Sequence, residues 1–307
     1  SFPAKMKRNL MKGSVIPRYS GLPTVLKENG YYNLFFMTHE GQYDNMNAFF
    51  RTNGYDEVFS QENYPADKVV NSFGVQDDFL YDYAIPVLNQ RAATGEPFFA
   101  TLLSISNHPP YVIPPFFHPK TSEPETQIVE YADWALRQFF EEARKQPWFD
   151  NTIFVLEGDH GKLVGDAECE LPESYNHIPL MIYSSRIQPE EKTTFGGQVD
   201  IQPTILGLLN IDYLQNNFGV DLLKEERPCM FYTADNMVVG RNDTLLYLYN
   251  YETQQELTYD IGNGKLNAVP MDDSFLPLKE YSFSMLQSAE FLVKHGKTLN
   301  SIPFTQQ

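Results

Sequence analysis

Cysteine is scarce in this chain. Cys169 and Cys229 are the only two in 307 residues, which excludes a disulfide scaffold, and neither has the paired spacing of a structural metal site. A single bridge between them stays open at this stage. Positive charge is also short: 40 acidic residues face 23 basic ones, for a net charge of −17 and a pI near 4.7. Such a surface repels a phosphate backbone, so nucleic acid is excluded as a partner. Long apolar runs are missing too. The richest stretches, 100–105 and 244–249, are strand-sized, far below the roughly 18 residues that span a bilayer, and this piece reads as soluble. Lys5, Lys7, Arg8 and Lys12 near the start are followed by no apolar segment, so no secretory signal is read. A chain opening at Ser1 rather than Met reads as a fragment. A P-loop, a dinucleotide fingerprint, a nucleophile elbow and a zincin helix are all absent.

What is present is ample material for a core, with 42% hydrophobic and 14% aromatic residues. Helical spacing predicts helices over 22–29, 45–51, 79–90, 128–143 and 201–209, the last with Asp200 as its cap. Between them, apolar runs over 31–37, 98–106, 152–156 and 178–183 read as buried strands. This alternation predicts an α/β fold: a mostly parallel sheet sandwiched by helices. After about Glu226 short strands separated by Asn, Asp and Gly predict an antiparallel sheet closed by a helix over 281–293. The expected division is residues 1–225 and a C-terminal α+β subdomain, 226–307.

In open α/β sheets function gathers outside the carboxyl ends of the strands. Asp159 and His160 stand there, in Glu157-Gly158-Asp159-His160-Gly161. A carboxylate beside an imidazole offers oxygen and nitrogen ligands suited to Mn²⁺ or Zn²⁺. The competing reading has Asp159 cap a turn and His160 bond to backbone. His108, at the end of the 98–106 strand among prolines, has a donor imidazole suited to a phosphate or sulfate oxygen; its alternative is a loop histidine bonded to a carbonyl. His177 opens a strand and is expected at the opposite end of a parallel sheet, which leaves it a minor role. His39 reads as a solvated loop residue, and His118 and His295 as surface residues. Asp44 and Asn45 read as caps of the following helix, with Asn45 also within reach of a substrate.

Asn107-His108-Pro109-Pro110-Tyr111, Gly158-Asp159-His160-Gly161, His177-Ile178-Pro179-Leu180 and Val199-Asp200-Ile201-Gln202-Pro203-Thr204 together resemble the sulfatase-like lipoteichoic acid synthase family of the alkaline phosphatase superfamily. The similarity extends to Phe2-Pro3-Ala4-Lys5, Tyr43-Asp44-Asn45-Met46 and Met285-Leu286-Gln287. It implies an alkaline phosphatase or sulfatase-like fold and transfer of a phosphoglycerol-type phosphoryl group, or hydrolysis of a sulfuric or phosphoric ester, outside a bacterial cytoplasmic membrane. The implied donor is a lipid-linked phosphoglycerol or similar anionic head group, and the acceptor a glycan or polyol phosphate. One divalent metal is implied, Mn²⁺ first, with Mg²⁺, Ca²⁺ and Zn²⁺ as alternatives. Asp159 and His160 match the family's later metal ligands, and His108 its phosphate-contacting histidine; Asn45 and His177 are carried as substrate-binding candidates.

In the family, an acidic metal ligand and the nucleophilic threonine precede the Phe-Pro-Ala-Lys stretch, which begins here at Phe2. The resemblance therefore implies that the nucleophile is not in this chain and that this piece is inactive by itself. Thr24, Thr38 and Thr52 lack the nucleophile's motif context. The tryptophan and arginine that some members carry near Tyr43-Asp44-Asn45-Met46 are absent here. Two other readings compete: a non-catalytic module of the same fold that binds anionic lipid head groups or glycans, and an unrelated metal-dependent esterase.

Overall fold

A computed structural model describes residues 10–12, 16–163 and 165–299. The Phe2–Lys5 stretch that contributes to the resemblance lies outside the described residues.

The first half is built around three parallel strands. Helix α1 (Leu22–Glu28) starts where the Thr24 hydroxyl accepts the Gly21 N–H at 2.8 Å, and it leads into β1 (Tyr32–Met37). Helix α2 (Met46–Thr52), β2 (Glu57–Phe59), α3 (Asp77–Ala92) and β3 (Phe98–Leu103) follow. Strand order is β2-β1-β3, with β1 parallel to both neighbours. Successive side chains of β1 point to opposite faces, and both faces are covered. Leu34 and Phe36 pack under α3 and under α4 (Pro124–Ala143), among Leu80, Ala84, Leu88 and Phe139. Phe35 and Met37 pack on the other side with Tyr55, Val58 and Phe50 of the α2 layer. Each of these buried Leu and Phe side chains contributes roughly 1.5–3 kcal/mol of transfer free energy, which fixes β1 as the centre of the core.

The next ribbon departs from expectation. Strands β4 (Phe154–Glu157) and β5 (Leu180–Tyr183) pair antiparallel, with Glu157 opposite Leu180, and form a separate two-stranded sheet. They were expected to be buried, but Met181 is 55% exposed and Leu180 38%. The packing is confined to one end of the ribbon: Phe154 and Tyr183 meet Phe140 and Phe149, whereas Leu180 and Met181 stand at the other end, beside Glu157 and Leu156.

After α5 (Ile201–Leu208) the chain forms β6 (Met230–Ala234), β7 (Met237–Arg241), β8 (Leu245–Asn250), β9 (Gln255–Asp260) and β10 (Asn267–Ala268). These make one antiparallel sheet in simple succession, and α6 (Leu276–Lys294) closes over it. The α/β fold with its C-terminal antiparallel sheet is as the sequence implied. Among the described residues no helix is long and apolar enough to cross a membrane. Cys169 and Cys229 are free thiols, so the bridge left open by the sequence is not formed.

Asp200 is a second correction. Its carboxylate does not cap α5; it is fully buried and paired with the equally buried Arg227, which also donates to Phe218 O and, at 3.1 Å, to Tyr281 Oη. The charge of Arg227, invisible as a partner in the sequence, outcompetes the helix end because both groups are removed from water.

Candidate functional site

The carboxyl ends of β1, β3 and β4 feed loops that touch one another. The loop after β4 is the junction. Gly161 N–H donates to Tyr175 O at 2.8 Å, and a Cβ on Gly161 would stand 2.0 Å from Ser174 O, so only glycine fits this approach. The Gln198 amide donates to Gly158 O at 3.1 Å and Asp159 O at 2.8 Å. Lys162 Nζ donates to Tyr111 Oη at 2.8 Å, which ties this loop to the one after β3 that carries His108.

Within that junction Asp159 and His160 are set against each other. Asp159 Oδ1 accepts the His160 N–H at 2.9 Å, and His160 Nδ1 lies 2.8 Å from Gly161 O. A carbonyl only accepts, so Nδ1 carries the hydrogen and a neutral ring has its lone pair on Nε2. Nε2 faces Asp159 Oδ2 at 3.8 Å, with both side chains 72% exposed. The backbone bonding of the competing reading is therefore present, and it orients the ring as a ligand at the same time. One cation with bonds of about 2.1 Å can bridge such a pair, so the two residues fit a divalent metal as half of a site. No third histidine, cysteine or carboxylate joins them in a metal-binding group among the described residues. Glu157, at the end of β4, has its carboxyl pushed above the usual range by desolvation and then by the Asp159 charge.

His108 follows the same logic. Its Nδ1 is 2.8 Å from Pro109 O, which fixes the hydrogen there and turns Nε2 outward. The ring packs on Phe73 at 4.2 Å, Phe73 on Tyr43 at 6.4 Å, and Tyr43 on His39 at 4.8 Å, an aromatic ladder across the loops after β1 and β3. His39 was read as solvated; it is 2% exposed, and its Nδ1 bonds Glu40 O at 3.0 Å. The signal that marked it was its place two residues beyond the central strand. His177 is also corrected. It lies at the same end as Asp159, because antiparallel pairing sets the start of β5 beside the end of β4, and Gly158 packs against Ile178.

Asn45 is turned elsewhere. It and Asp44 adopt left-handed φ values of 62° and 49°. Neither caps α2: the Asn45 amide donates to Met11 O at 3.1 Å, and Asp44 pairs with Lys12 at 2.8 Å. His118 and His295 are exposed, as read. Sequence reasoning missed Gln198 and Lys162, since nothing local distinguishes a loop glutamine or lysine that reaches a distant segment.

The family model described as Sulfatase matches residues 4–211. Lipoteichoic acid synthase 1 of Bacillus subtilis is 26% identical over 270 residues, covering 80% of this chain and 40% of that protein. Lipoteichoic acid synthase of Staphylococcus aureus strain USA300 is 24% identical over 242 residues, 67% of this chain and 35% of that protein. The chain thus spans less than half the length of these relatives. Among solved structures, a protein in the alkaline phosphatase superfamily from Vibrio parahaemolyticus superposes with TM-score 0.85 and 27% identity, covering 97% of this chain and 74% of that one. The lipoteichoic acid synthase LtaP from Listeria monocytogenes has the same fold, with TM-score 0.80 at 22% identity, over 94% of this chain and 76% of that one. The helix-covered parallel sheet and the C-terminal antiparallel sheet accord with these likenesses, and the chain belongs to the sulfatase family of the alkaline phosphatase superfamily, with lipoteichoic acid synthases among its relatives.

Proposed function

We propose that residues 1–225 are the catalytic portion of a metal-dependent phosphoryl transferase of phosphoglycerol type, or of a related phosphoric or sulfuric ester hydrolase, acting outside the bacterial cytoplasmic membrane. Residues 226–307 form its supporting subdomain. The donor is a lipid-linked phosphoglycerol or a similar anionic head group, and the acceptor a glycan or polyol phosphate. Asp159 and His160 hold one divalent cation, Mn²⁺ in the first place, which when bound withdraws charge from a phosphoryl or sulfuryl oxygen. His108 presents Nε2 to a second oxygen of the same group, to which the protonated ring, with a hydrogen on both nitrogens, donates. Lys162 adds a positive charge between the two loops, and His177 flanks the site.

The observation that carries this reading is the pairing of His160 Nε2 with Asp159 Oδ2 at 3.8 Å, with the tautomer fixed by Gly161 O. Of the three threonines considered above, Thr24 is committed to the Gly21 backbone and Thr38 is wholly buried, which removes both as attacking groups, whereas Thr52 is exposed. On this reading the chain alone turns over phosphate and sulfate esters negligibly. Calorimetric titration with MnCl₂ tests it. Weak binding that disappears in Asp159→Ala and in His160→Ala is expected; binding indifferent to both substitutions refutes the site.

A second reading, a non-catalytic module of this fold that binds anionic head groups or glycans, is favoured by the fact that only two metal-competent side chains converge among the described residues. Robust ester turnover by the purified chain, abolished by substitution of one of its threonines, would exclude that module and would also show the nucleophile to be misplaced.

A further inference from the structure

We propose that Asp77 is a positioning residue for His108, acting through the backbone of the loop after β3. The inference deepens the proposed function and rests on the reading that His108 meets a phosphoryl oxygen.

Asp77 is the first residue of α3 and is 2% exposed. An ionised carboxylate at that depth is costly unless its bonds are strong. Its Oδ1 accepts two backbone N–H groups from the His108 loop, Ile105 at 2.9 Å and Ser106 at 3.0 Å. The Asp77 N–H in turn donates to Ser106 Oγ at 3.1 Å, so the clamp is reciprocal. Ile105 passes the restraint on: its carbonyl accepts the His108 N–H at 2.9 Å. The preceding residue holds the far end of the same loop, where the Gln76 amide donates to Val112 O. Two consecutive residues at one helix start thus fasten both ends of residues 105–112, and Phe73, three residues before Gln76, packs against the His108 ring at a tilt of 46°.

The helix start is itself fixed to the central strand. Val75 N–H donates to Thr38 O at 3.2 Å, and Gly74 approaches that carbonyl so closely that a Cβ would stand 1.8 Å from it. Asp77 therefore refers the position of His108 back to β1. Burial pushes the Asp77 carboxyl above its usual range and the Ile105 and Ser106 N–H groups oppose that rise; in the ionised form its two bonds are charge-assisted, about twice as strong as neutral ones. Asparagine would keep the acceptor oxygen in place, whereas alanine would release both N–H groups.

The test uses the chain labelled with ¹⁵N-histidine. Without ligand, Asp77→Ala should shift the His108 ring resonances and leave those of His160 and His177 in place, and Asp77→Asn should restore most of the native His108 signature. A merely stabilising role would move all histidines together or none, and either result overturns the proposal. Titration with glycerol phosphate separates it from its premise. Binding unaffected by His108→Gln removes the functional reading alone. Binding lost in His108→Gln but retained in Asp77→Ala removes the positioning role. The expected result is loss in His108→Gln and weakening of about tenfold or more in Asp77→Ala, as for one charge-assisted hydrogen bond. If Asp77→Ala does not fold, Asp77→Asn and Ser106→Ala decide the matter: the second must shift His108 selectively, and the first must not.

Discussion

Replacing Arg227 by methionine should cost this protein about 3 kcal/mol, the low end of the range for stripping one partner from a buried ion pair. The side chains of Arg227 and Asp200 are 1% and 0% exposed. Arg227 Nε lies 2.9 and 2.7 Å from the two Asp200 oxygens, and its remaining nitrogens serve Asp200 again, Phe218 O and Tyr281 Oη. Methionine fills much of the volume but leaves the carboxylate with two backbone donors, Gly197 N–H and Val220 N–H, each at 2.8 Å. Those two bonds are why the loss sits at the low end. Against a total stability of about 5–15 kcal/mol the effect is large. It should appear in urea denaturation as a lowered midpoint with unchanged slope. Asp200→Asn combined with Arg227→Met should recover at least half of the loss, because most of it is the stranded charge rather than the missing contacts. A single variant that loses less than about 1 kcal/mol, or a double variant whose loss equals the sum of the singles, refutes the argument.

Other expectations follow from the same geometry. Gln198→Ala, which frees the Gly158 and Asp159 carbonyls, should weaken Mn²⁺ binding several-fold by calorimetry while the denaturation midpoint stays nearly constant; unchanged affinity would show that the loop needs no such tether. Gly74→Ala forces a Cβ to within 1.8 Å of Thr38 O at φ +88°, and should lower the thermal midpoint severely or prevent folding; a variant as stable as the parent would contradict the close approach. Burial pushes the Cys229 thiol up to about 11 and raises that of Cys169 as well. The thiolate is the reactive form, so both should resist alkylation at pH 8 in the native chain and react promptly in denaturant. Fast native labelling of Cys229 at that pH would place it elsewhere.

The extent to which the sequence announces this site varies by residue. Asp159, His160 and His108 are legible because each follows an apolar run of strand length, and chemistry-bearing residues at strand ends are a local pattern. His177 is legible as a residue but not in place, since its position depends on whether β5 runs with or against β4. Period and hydrophobicity are the same for both directions. His39 was misjudged for a related reason: burial of a loop histidine depends on Tyr43 and the Gly74 turn closing over it, which no local pattern records.

Local sequence, through apolar periodicity and the punctuation of glycine and proline, determined which segments became helices and strands, the change from α/β to antiparallel texture near residue 226, and the metal-competent dipeptide. Tertiary structure alone decided that β4 and β5 form a half-exposed antiparallel ribbon, that Asp200 serves Arg227 instead of its own helix, and that Gln198, Lys162 and Asp77 hold the loops of the site. The physical reason is range. Periodicity acts between neighbours three or four residues apart, whereas these bonds join groups 27 to 51 positions apart in the chain, and their strength comes from the loss of water at a place that exists only once the chain has folded.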